Sequence, residues 1–356
     1  MLDDTQPTTD PITGLGAVDC DIHPRLPVRD DLMPFFDAYW REQVPYRNID
    51  RLELTSHPVS LPPYRRGEGM NDSAEDLARN LLDPNGLSAG ILTLVNGTQA
   101  LYDPYMADAF CQATNRWLAA DWLDRDPRLR AALVVPFQHP EAAAEEIRRY
   151  ANDRRFVAVT ALAMGERPLG QRANWPIYKA AADAGFALNV QPGHTYRHAP
   201  SQAGFPSFLV EERIHMAQGA ASQTMSLLSE GVMTEFADMK IVMAGTGASW
   251  LFGMSWRVAK DWRGARVETP WIKESPEKIL ERQLRLTIAP FDAPPEMEAD
   301  QSIVDVIGSA DMLLYASDFP HAHAGPAGAW PRAIPKDLSP VIARKNPQET
   351  YPRLEV

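Results

Sequence analysis

A closed (β/α)8 barrel of the TIM type, with an extended insertion after its first strand, is the fold this sequence predicts. Eight short, nearly continuous apolar segments recur along the chain, each followed by a stretch of helical pattern, which points to a parallel sheet covered by helices. The 356 residues suffice for eight such units in one domain, and a hydrophobic fraction of 45% supplies a sizeable core. No Gly-x-Gly-x-x-Gly follows the first segment, so the open, dinucleotide-binding alternative loses its main support.

The elements follow in order. Residues 1–14 read as a flexible tail and 15–356 as a single barrel domain. The first strand covers residues 17–22, ending Val18-Asp19-Cys20-Asp21-Ile22-His23-Pro24. Residues 24–89 form the insertion, a lid or an assembly surface. It opens with a helix from Asp30 to Val44, apolar at Leu32, Phe35, Phe36, Tyr39 and Trp40, and turns Pro-rich from Pro45 to Gly69.

Ile91 to Val95 is the second strand, and Asp103-Pro104 opens a helix reaching about Asp126, with Asp as cap and Pro at the first helical position. Ala132 to Pro136 is the third, with a helix from Pro140 to Tyr150. Phe156 to Thr160 is the fourth, with a helix from an Asn174 cap to a Gly185 stop. Phe186 to Val190 is the fifth, before a helical region from about Phe208 to Phe236. Lys240 to Met243 is the sixth, before a Trp-rich helix from Ser249 to Trp262. Arg285 to Ile288 and Met312 to Tyr315 complete the set.

A formal charge of −12 with no Lys/Arg cluster argues against nucleic acid or an anionic membrane as a partner. The apolar run Ile241 to Trp256 is too short and too interrupted to span a bilayer. Two cysteines, Cys20 and Cys111, fit a reducing compartment, and the acidic N-terminus does not read as a signal peptide. A cytoplasmic protein is expected.

In a barrel the chemistry lies at the C-terminal ends of the strands. On strand one, residues two apart share a face, so Asp19, Asp21 and His23 point one way and Cys20 and Ile22 the other. Strand eight ends in Ser317-Asp318-Phe319-Pro320-His321-Ala322-His323 and neighbours strand one in a closed barrel. Asp21, His23 and Asp318 therefore form an oxygen/nitrogen site for one divalent ion, zinc first, with iron or manganese as alternatives. Strand five ends in Gln191-Pro192-Gly193-His194, and that turn brings His194 towards the mouth as a fourth metal ligand; its other reading is a loop histidine bonded to backbone. His139 and His215 read as structural and Cys111 as a buried apolar residue. Trp250, Trp256 and Trp262 do not share one helical face and read as packing residues.

These stretches, with Tyr196-Arg197-His198 after strand five and Lys240 to Met243 on strand six, resemble the amidohydrolase-related group of the amidohydrolase superfamily. That group is similar in build to metal-dependent decarboxylases such as aminocarboxymuconate-semialdehyde decarboxylase. The resemblance runs from about residue 17 to the end, and Ser317-Asp-Phe-Pro-His321 is its most specific piece. It implies metal binding by the first-strand pair and by Asp318, proton handling by Asp318, and a part for His321 in orienting a ligand. Two departures stand out: Gln191 where members place a metal-binding His, and Ala244-Gly245 where they place a catalytic His or a Glu. The bridging Lys of binuclear relatives is absent from Phe156 to Leu162, which argues against a two-metal site.

Two functions follow. One is a mononuclear metal enzyme hydrolysing or decarboxylating a small carboxylate or amide, with Asp318 and His321 catalytic. The other is a catalytically degenerate partner subunit of a heteromeric enzyme of this fold, such as a diiron monooxygenase. A homo-oligomer, or a hetero-oligomer with a related barrel subunit, is expected.

Overall fold

The computed structural model describes residues 11–53, 70–193, 204–294, 297–299, 301–321 and 329–356. Eight strands form one sheet in sequential order: β1 (Val18–Ile22), β2 (Ala89–Leu92), β3 (Leu129–Val134), β4 (Phe156–Leu162), β5 (Ala187–Gln191), β6 (Ile241–Met243), β7 (Leu284–Thr287) and β8 (Leu313–Leu314). Neighbouring strands pair in parallel throughout. A parallel bridge between Ile22 and Phe319, with Cys20 N–H donating to Tyr315 O at 3.0 Å, closes the sheet on itself. The continuous apolar runs are explained by this closure: nearly every strand residue is buried, one face against helices and the other against the barrel interior.

Helices follow the strands with the caps the sequence announces. Asp103 accepts from the N–H groups of Tyr105 and Met106 at 3.0 and 3.1 Å, starting the helix Pro104–Leu118. The helix Trp175–Ala184 ends at Gly185 with φ +75°, a left-handed conformation that glycine takes without a steric cost.

Three expectations need correction. The helix read from Asp30 to Val44 breaks at Phe36 and Asp37: a short helix Arg29–Leu32 passes into a 3-10 turn containing Pro34, and Asp37 recaps Ala38–Tyr46 by accepting from Trp40 N–H at 2.9 Å. Asn174 does not cap by its side chain; its amide donates instead to Leu169 O at 3.0 Å. The region from Phe208 to Phe236 is two helices, Leu209–Ser229 and Val232–Glu235, divided at Gly231 with φ +88°.

The C-terminal segment closes the barrel floor. Tyr351 packs inside with Val18, Cys20, Ala187, Ala244 and Leu314. Arg353 reaches the carbonyls that end the helices Pro140–Arg149 and Trp175–Ala184. No helix among the described residues is long and apolar enough to cross a membrane.

Candidate metal centre

β1 and the turn after β8 hold each other by backbone hydrogen bonds, and this seam builds the site. His23 N–H donates to Phe319 O at 2.8 Å, and Asp318 N–H donates to Asp21 O at 3.1 Å. Asp318 has φ +53°, a left-handed conformation that Asp tolerates better than most residues. His321 N–H then donates to Asp318 O at 2.9 Å, folding the imidazole back over the carboxylate. From the insertion, the Asn71 amide donates to His23 O at 2.6 Å. The side chains at the mouth are thus set by a tight turn, a strand end and a buried amide.

The strand alternation expected of Asp19, Asp21 and His23 fails at Asp19. The pairing register shifts between Asp19 and Ile22, and Cys20 joins the barrel-interior cluster. Asp19 Oδ1 accepts instead from the N–H groups of Asp21 at 3.2 Å and Ser317 at 3.0 Å, fastening β1 to the β8 turn. Burial pushes the Asp19 carboxyl up to about 7 against the lowering effect of the Ser317 hydrogen bonds.

Asp21 and His23 do share the mouth. His23 Nε2 lies 2.8 Å from Asp318 Oδ1 and 3.6 Å from Asp21 Oδ2. Burial alone would depress the imidazole, but the charge of Asp21 3.6 Å away and the hydrogen bond to Asp318 outweigh it and hold His23 up at about 10. His321 Nδ1 is 2.9 Å from the same Asp318 Oδ1, and the two imidazole rings lie 4.6 Å apart, centre to centre. The candidate ligand atoms of His23, Asp318 and His321 all fall within 4.8 Å of one another.

Asp21 Oδ2 is buried without a hydrogen-bond partner. A buried carboxylate oxygen that no donor reaches, and that faces only an imidazole 3.6 Å away, is incompletely satisfied, and a bound cation would satisfy it. Among the described residues the group close enough to share one ion is thus one carboxylate and two imidazoles, with Asp21 3.6 Å from His23, and donors of this kind suit one first-row divalent ion. His194 lies outside the described residues, as do His57, Arg197, His198 and His323. His139 stands at the start of the helix Pro140–Arg149 and His215 lies within Leu209–Ser229, both away from strand ends. Cys111 is buried with a free thiol, and among the three tryptophans Trp256 is the exposed one.

The opposite wall is neutral. Gln191, at the end of β5, donates its amide Nε2 to Asp21 Oδ1 at 2.8 Å, a contact between residues 170 apart. The sequence registers Gln191 as a missing ligand; its inward position two residues after Asn189 was the one available signal of this second part. At the end of β6, the segment Ala244 to Gly247 is committed to starting the helix Ser249–Ala265. Asp292 accepts from Ala248 N–H at 2.8 Å, and a β-carbon on Gly247, with φ +71°, would lie 2.6 Å from Asp292 Oδ2.

Known proteins are similar to this chain along nearly all of it. A γ-resorcylate decarboxylase from a Polaromonas species is 25% identical over 276 residues, spanning 72% of this chain and 80% of that protein. Among solved structures, an amidohydrolase from Mycobacterium avium subsp. paratuberculosis matches with a TM-score of 0.69 at 18% identity, covering 94% of this chain and 97% of its own. The 5-carboxyvanillate decarboxylase of Novosphingobium aromaticivorans, complexed with manganese and a nitrobenzoic acid, matches with a TM-score of 0.69 at 17% identity, covering 97% and 99%. Residues 18–353 match the sequence pattern of the amidohydrolases, from the first barrel strand to the arginine that closes the floor, and the chain belongs to that family.

Proposed function

We propose that this chain is a metal-dependent enzyme of small carboxylates, with decarboxylation as its reaction. The observation that carries the reading is the placement of His23 between Asp21 and Asp318, with no hydrogen bond on the buried oxygen Asp21 Oδ2. The names of the similar decarboxylases support the choice of decarboxylation over hydrolysis. Asp21, His23 and Asp318 hold one divalent ion, with His194 as a further ligand. When bound, the ion supplies Lewis acidity and neutralises the charge of a substrate carboxylate. Asp318 and His321, joined at one oxygen, hold the proton. In a decarboxylation the carbon–carbon bond to the carboxylate breaks, carbon dioxide leaves and the carbon accepts that proton.

Zinc is the ion the sequence favours, and manganese is the ion in a structural relative. Metal analysis of undialysed protein distinguishes them, and the same preparation is assayed for carbon dioxide release from a panel of hydroxybenzoates and for hydrolysis of small amides. About one ion per chain and chelator-sensitive decarboxylation are expected. A purified protein with no bound metal overturns the reading. The degenerate partner-subunit alternative draws no support from the relatives found, and the intact Asp21, His23 and Asp318 cluster favours a working site. A cytoplasmic location accords with the two buried free thiols. Self-association accords with the exposed Phe208, Val210, Ile214 and Trp256, and sedimentation measures it.

A further inference from the structure

We propose that Gln191 limits Asp21 to a single metal-facing oxygen and thereby sets which divalent ions the site accepts. The inference rests on the metal-binding reading above and goes beyond it, because it assigns a role to a residue that is not itself a ligand. Gln191 is 2% exposed at the end of β5, where its register partner on β4 is Leu162. Its Nε2 donates to Asp21 Oδ1 at 2.8 Å. The orientation of the amide follows from chemistry, since an ionised carboxylate only accepts and would repel the amide oxygen. Two residues earlier, Asn189 donates to Thr93 Oγ1 at 3.1 Å, which braces the same strand against β2. Beside it, Gly245 brings no side chain to compete: a β-carbon there would lie 3.9 Å from Gln191 Oε1.

The amide takes one lone pair of Asp21 Oδ1 and fixes the orientation of the carboxylate, while no hydrogen bond reaches Oδ2, so a cation meets Oδ2 first. Calcium takes six to eight oxygens and uses bidentate carboxylates, whereas first-row ions are satisfied by fewer, single donors. An amide fixed on Oδ1 weakens that oxygen as a second donor, which works against calcium more than against manganese. Gln191 is thus a positioning residue for Asp21, and selectivity is its readout.

The experiment titrates metal-free wild-type protein and Gln191→Met, which keeps the side-chain volume and loses the donor, with Mn2+ and with Ca2+ by calorimetry. The ratio of Mn2+ to Ca2+ affinity should fall at least about tenfold in the variant. Gln191→Leu, which also lacks the donor and brings no ligand atom of its own, should move the ratio the same way and stands in if the Met variant does not fold. A ratio within about twofold of wild type in the folded variant overturns the role of Gln191. Wild-type protein that binds neither ion overturns the metal-binding reading itself, so the two failures are told apart.

Discussion

Arg353 at the barrel floor and Asp21 at its mouth are both buried and both charged, but their surroundings differ in kind. All five guanidinium N–H groups of Arg353 donate to backbone carbonyls: Phe156, Ala151, Ala184, Tyr150 and Asp153, at 2.6 to 3.2 Å. Its charged plane also sits over the Phe186 ring at 4.1 Å. Asp21 has one oxygen on Gln191 and the other without a hydrogen bond, in ion-pair range of the His23 imidazole at 3.6 Å. A fully satisfied buried charge holds a fold together, since nothing remains for a ligand to improve. A buried charge with an oxygen that no donor reaches is only partly satisfied, and a ligand can still improve it. Within a single barrel the floor charge is fully satisfied and the mouth charge is not.

The comparison predicts opposite phenotypes. Asp318→Ala should lower ion affinity by at least on the order of 100-fold and abolish turnover, while the metal-free variant loses only the melting temperature that the His23–Asp318 pair supplies. Calorimetric titration and thermal melting of the same samples measure both, and a large loss of melting temperature without loss of metal would erase the distinction. Arg353→Met should do the reverse. It strands carbonyls at the ends of two helices and should cost about 3–5 kcal/mol in denaturant unfolding, with ion affinity of the folded protein unchanged.

A pH series sharpens the mouth side of the contrast. His23 is held up at about 10 in the folded chain against 6.5 for an ordinary imidazole. A folded-state value above the unfolded one stabilises fully below pH 6.5 and loses that contribution as pH rises through about 10. Metal-free protein should therefore lose melting temperature across this window, and His23→Gln should flatten the decline. The smallest effect belongs to neither end: Asp103→Ala removes the cap of Pro104–Leu118 and should cost about 1 kcal/mol without altering metal binding. A shift in metal affinity there would show that the helix layer is coupled to the mouth.

The residues that meet at the barrel mouth were legible because two local rules met. Parity along β1 placed Asp21 with His23, and closure of an eight-stranded barrel placed Asp318 beside them. The same parity misassigned Asp19, because a one-residue irregularity in pairing reverses faces and leaves no periodic trace. Asn174 shows a second limit: a residue suited to capping found carbonyl partners in its own preceding loop, and local competition decided its hydrogen bonds. The insertion kept its secret longest, since nothing near Asn71 announces that it will hold the backbone of His23, 48 residues earlier.

Periodicity and turn chemistry by themselves determined the strand order, the helix layer and the strand ends that carry the polar side chains, because each depends on neighbours a few residues apart. Only the tertiary structure decided what those side chains touch. Gln191 meets Asp21 across 170 residues, and Arg353 gathers carbonyls 169 to 203 residues away. Such contacts exist only once the sheet has closed and its register is set, and register is a property of paired strands that no single segment carries.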